Sequence, residues 1–147
     1  MNTFRILFAN KQVSIKKVLE VVAKTQKTDA AEAALGAKRL SNKQVLRMIE
    51  SFRGTSKRTI VAKKALEANI FSSPKEILKV LKMTRYNESL VDMAIIRINW
   101  DMLLPKKLAE ILISNSDNQK ISDRIEEALI GLNVYWLIFK KAQRQVK

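Results

Sequence analysis

Apolar residues recur along this chain at the i, i+3, i+4 spacing of helix faces, and the faces themselves recur. Ile15/Val18/Leu19, Val45/Met48/Ile49, Ile77/Val80/Leu81 and Leu108/Ile111/Leu112 are offset by 30, 32 and 31 residues. A second set lies one helix upstream, with Ala34-Leu35, Ala65-Leu66 and Ile96 spaced 31 apart and Leu40, Phe71 and Met102 closing each first helix. No segment alternates apolar and polar positions over the length of a strand. The pattern predicts a single all-α domain over residues 1–147, built of five two-helix units at about 1–27, 28–57, 58–88, 89–118 and 119–147.

Local signals mark the expected boundaries. Ser41-x-x-Gln44 and Ser73-Pro74-x-Glu76 read as capping boxes, the second with proline at the first helical position, where a missing N–H is harmless. Ser89-x-x-Asp92 has a similar form, and Gly54 is expected to end a helix in the left-handed conformation. Asn42-Lys43, Pro74-Lys75 and Pro105-Lys106 mark the turns into second helices. A helix pair of this size cannot bury its apolar face alone, so stacking on neighbours is expected. The architecture read from these features is a right-handed stack of helix pairs, an α-solenoid. The alternative is an irregular helical bundle in which the spacing is coincidental.

The apolar periodicity, the Pro74 and Pro105 turns and the paired Ala-Leu positions resemble short helical-hairpin repeats of the HEAT-like type. The signature residues of tetratricopeptide and ankyrin repeats are absent. The resemblance implies a binding surface and leaves its ligand open.

Charge narrows the choice of ligand. The chain has 28 Lys+Arg against 14 Asp+Glu, a net charge of +14. Residues 1–85 hold 19 of those cations and six of the acids, so nearly all the excess lies in the first three units. Within them, the junctions carry Lys24 and Lys27, then Arg53, Lys57 and Arg58, then Lys82 and Arg85. In a stack, equivalent junctions fall along one edge, which predicts a ridge of seven cations. Lys17, Arg47 and Lys79 each follow the first apolar residue of a triplet by two positions, which predicts a second row on the exposed side of the second helices. Glu110 holds that position in the fourth unit.

Such rows attract a phosphate backbone through Coulomb steering and counterion release. The expected function is a non-enzymatic module that binds DNA or RNA by its backbone, within a nucleoprotein or ribonucleoprotein assembly. An alternative is a protein-interaction adaptor that binds an acidic partner on the same ridge, or docks through Tyr135, Trp136 and Phe139 in the last unit. Those aromatics and Trp100 fall outside the basic half, so stacking platforms for bases are not interleaved with its cations.

Other chemistry is restricted by composition. Without Cys or His there is no zinc-binding set of thiolates and imidazoles, no thiol nucleophile and no histidine base. No Gly-rich phosphate loop occurs, and adjacent acids such as Glu126-Glu127 diverge by about 100° on a helix. No cofactor or metal is expected. The longest apolar stretch, Ala128–Phe139, covers 12 residues, whereas a membrane span needs about 20. No membrane association is expected, and the missing cysteines point to a soluble intracellular protein, cytoplasmic or nucleoid-associated.

Overall fold

The computed structural model describes residues 3–131, and among these every regular element is helical. The order is α1 (Thr3–Ala9), α2 (Ile15–Thr25), α3 (Thr28–Gly36), α4 (Asn42–Ser51), α5 (Thr55–Glu67), α6 (Pro74–Met83), α7 (Glu88–Arg97), a 3-10 turn η1 (Trp100–Met102), α8 (Pro105–Ser114) and α9 (Gln119–Gly131). The all-α expectation therefore holds. The chain divides into two compact units, Met1–Leu90 and Val91–Lys147, with the boundary inside α7. Among the described residues, no helix is long and apolar enough to cross a membrane.

In the first unit, α1 packs on α3 and α3 on α5, while α2 packs on α3 and α4, α4 on α5, and α5 on α6. Small residues make the close approaches: Ala30, Ala31, Ala33 and Ala34 of α3 are buried, as are Ala62 and Ala65 of α5. The apolar triplets of the second helices form the other side of this core. Val45, Met48, Ile49, Ile77, Val80 and Leu81 are all at most 3% exposed. Phe8 and Phe52 are fully buried with them.

Helix ends follow the capping chemistry closely at some sites. Ser41 Oγ accepts from the Gln44 amide while Gln44 Oε1 accepts from the Ser41 amide, completing the predicted box. Ser73 is the N-cap of α6 and Pro74 its first residue, but the Ser73 side chain makes no capping bond, and Glu76 instead accepts from Asn42 Nδ2 at 3.4 Å. Lys38 and Asn69 end α3 and α5 with φ of 56° and 55°, so a left-handed residue recurs after 31 positions without glycine. After α5 the Ile70 amide reaches back to the Ala65 carbonyl, a Schellman closure.

Three local expectations are corrected. Gly54 does not end a helix in the left-handed region; it is the N-cap of α5, with φ −110°, and α4 closes on Phe52 instead. Ser89 lies inside α7, and the capping side chain belongs to Asn87, whose Oδ1 accepts from the Leu90 amide. The upstream register slips in the second unit, where Ile96 and Met102 are 83% and 77% exposed. There Val91, Ala94 and Ile98 are buried, and the chain turns through η1 to bury Trp100, whose indole Nε1 donates to the Ile95 carbonyl. Trp100, not Met102, is the side chain that this turn buries.

Candidate nucleic-acid interface

The first two junctions are tied together by one glutamine. Gln26 follows α2 with φ 53°, and its Nε2 donates to Ala23 O at 2.7 Å and to Ser51 O at 3.0 Å. Its Oε1 accepts from the Arg53 amide at 3.0 Å, and its backbone carbonyl accepts from Lys57 Nζ at 2.7 Å. The segments holding Lys24, Lys27, Arg53 and Lys57 thus lie side by side.

Proximity does not leave every cation outward. Arg58 is half-buried, with Nε donating to Phe52 O at 2.7 Å and Nη2 to Glu50 O at 2.8 Å. It therefore satisfies the orphan carbonyls where α4 ends, and Lys57 does the same for α2. Lys24 and Lys17 are both exposed, yet they share Glu20, at 3.1 and 3.7 Å. Lys24 chiefly, then Lys17, holds the Glu20 carboxyl below the usual carboxylate range.

The remaining predicted positions face solvent. Lys27, Arg47, Arg53, Lys79, Lys82 and Arg85 are exposed, and among the described residues their side chains enter no hydrogen bond or ion pair. Arg85 adopts φ 53° immediately after α6, beside Thr84, whose buried hydroxyl donates to Val80 O or Leu81 O. On α6, Lys75, Lys79 and Lys82 occupy i, i+4 and i+7, one stripe opposite the buried Ile77, Val80 and Leu81. Lys43 and Arg47 repeat the first two of those positions on α4. The Asn42–Glu76 bond holds the starts of α4 and α6 together, so the two pairs are neighbours.

Three basic residues escaped the sequence reading. Lys43 and Lys75 were legible as members of the exposed row, being 32 apart and four before Arg47 and Lys79. Arg39 is different in kind. Its guanidinium donates to Phe8 O, Asn10 O and Val13 O at 2.9, 3.2 and 2.6 Å, clamping the loop between α1 and α2. No sequence signal identifies a carbonyl acceptor.

The aromatic alternative, Tyr135, Trp136 and Phe139, lies outside the described residues. Trp100 does not share that role, being buried in the second unit. Among the described residues no three Asp or Glu side chains converge as a metal site. No protein-family model, curated protein or solved structure matches this chain.

Proposed function

We propose that this protein is a non-catalytic module that binds DNA or RNA through the phosphate backbone, on the exposed side of α2, α4 and α6. The helix pairs of residues 3–90 are read as a short solenoid-like stack. One observation carries the proposal: Arg47, Lys79 and Lys82 stand unneutralised on helices whose opposite faces are buried, with Lys27, Arg53 and Arg85 exposed at the adjoining junctions. Lys17 and Lys24 contribute less because Glu20 offsets them. Lys57 and Arg58 act mainly on the fold. A soluble location, cytoplasmic or nucleoid-associated, accompanies this reading.

The test is fluorescence anisotropy of labelled nucleic acid across a salt series. Affinity falls steeply from low to moderate salt, and Arg47→Glu with Lys79→Glu weakens binding to all sequences alike. Binding independent of salt, or unchanged in that double variant, defeats the proposal. Reversing Lys57 and Arg58 is the poorer experiment, since it also removes three hydrogen bonds to carbonyls.

The adaptor reading has its own support in the second unit. Ile96, Met102, Leu104 and Ile113 are each at least 74% exposed there. A partner retained after nuclease treatment and lost on Ile113→Glu favours an adaptor.

A further inference from the structure

The basic face holds two rows of cations, not one. Arg47 and Lys79 form the first, each five residues before the C-cap of α4 or α6, whereas Lys17 lies nine before the C-cap of α2, level with the second. Lys43 and Lys75 form the second, one turn toward the N-termini of α4 and α6. Four residues of rise separate the rows by about 6 Å. The Asn42–Glu76 contact at 3.4 Å keeps the α4 and α6 members in register. A two-dimensional set of charges of this size suits a ligand with two lines of phosphate. The minor groove of B-DNA separates its strands by about 6 Å, and a duplex carries one charge per about 1.7 Å of axis, twice the density of one strand.

Among the described residues, this face also lacks rings on which bases could stack. Proteins that hold single strands stack bases on aromatic rings, at about 1–3 kcal/mol per base. Within described residues 3–90, Phe8, Phe52 and Phe71 are buried. Phe4 is half-buried and stacked on Phe8, and Tyr86 is half-buried and already engaged. Among these described residues, no exposed ring therefore stands beside the cations. Unpaired bases gain nothing at such a surface, whereas a duplex hides its bases and presents only phosphate and sugar.

From these two features we infer that the ligand is double-stranded nucleic acid, gripped across one groove by phosphates of both strands without reading their sequence. This rests on the backbone-binding proposal above and specifies its substrate class. The experiment compares a 24-base-pair DNA duplex, its separated single strands, and inorganic polyphosphate as a charge-only probe, each titrated at several salt concentrations. The expected result is duplex binding at least tenfold tighter than either strand. In Lys43→Ala with Lys75→Ala, the duplex salt slope falls by about two while the single-strand slope is unchanged. Circular dichroism checks that the variant is folded, and Lys43→Gln with Lys75→Gln serves if it is not. Single strands bound as tightly as duplex overturn the inference and leave the backbone reading standing. Failure to bind any of the three probes removes that reading too.

Discussion

The Lys57 ammonium donates to the backbone carbonyl of Gln26 at 2.7 Å, across 31 residues of sequence, one repeat length. Arg39 reaches Phe8 O across the same separation. Lys57 and Arg58 occupy the first turn of α5, where a cation opposes the dipole of its own helix. They are tolerated there because they face the C-terminal carbonyls of α2 and α4, whose dipoles they complement. Arg39, Lys57 and Arg58 thus hold separate segments together, whereas Arg47, Lys79 and Lys82 face water.

That division is measurable at two arginines. Arg58→Ala should lower the unfolding free energy by about 2 kcal/mol, since it removes two charged hydrogen bonds, one to the part-buried Phe52 carbonyl and one to the exposed Glu50 carbonyl. Arg47→Ala, on the exposed side of α4, should change it by no more than about 0.5 kcal/mol while reducing polyanion affinity. Urea titration and salt-dependent anisotropy on both variants separate the two roles. Equal stability losses would refute the distinction.

Arg39→Ala should be the more damaging change. Three carbonyls lose their donor at once, and the expected loss is about 2–3 kcal/mol, with the α1–α2 loop released. Arg39→Lys should recover only part of it, because an ammonium cannot reproduce the planar fork. Chemical denaturation reads the first effect and limited proteolysis after Lys11 the second.

Glu20→Gln should strengthen nucleic-acid binding several-fold at low salt, by releasing Lys17 and Lys24 together. The pH dependence has a definite sign. A carboxyl whose folded pKa is depressed stays charged through neutral pH and protonates only below the ordinary carboxylate range. Neutralisation of Glu20 by pH therefore requires stronger acid than usual, and its small stabilising contribution persists down to that range before being lost. Binding by Glu20→Gln indistinguishable from the parent at every salt concentration would show that Lys17 and Lys24 lie away from the ligand.

Trp100→Phe should cost about 1–3 kcal/mol, combining a lost bond to Ile95 O with an underfilled site. Met102→Ala, by contrast, should be nearly neutral because that side chain is 77% exposed. Thermal unfolding followed by circular dichroism compares them. A large loss at Met102 would restore the register read from the sequence.

The buried triplets from Val45 to Leu81 were legible because water is excluded from one side of each helix, and that exclusion leaves a period in the residues. Ile96 misled because α7 buries Leu90, Val91 and Ala94, 29 rather than 31 residues after Val61, Ala62 and Ala65, and Met102 because η1 then adds an irregular turn. Gly54 was ambiguous on physical grounds, since glycine suits both the end of one helix and the start of the next. For the candidate interface, solvent exposure of Arg47 and Lys79 followed from their place opposite the triplets. The inward turn of Arg58 did not, because its acceptors are main-chain oxygens that every residue possesses.

The bridge from Gln26 to Ser51, Arg53 and Lys57 also bears on how the molecule opens. Fraying of the last turn of α2 exposes acceptors that the start of α5 needs, so neither end can loosen alone. Amide protons at these two places, far apart in sequence, are set to exchange with solvent at matched rates, as one breathing unit.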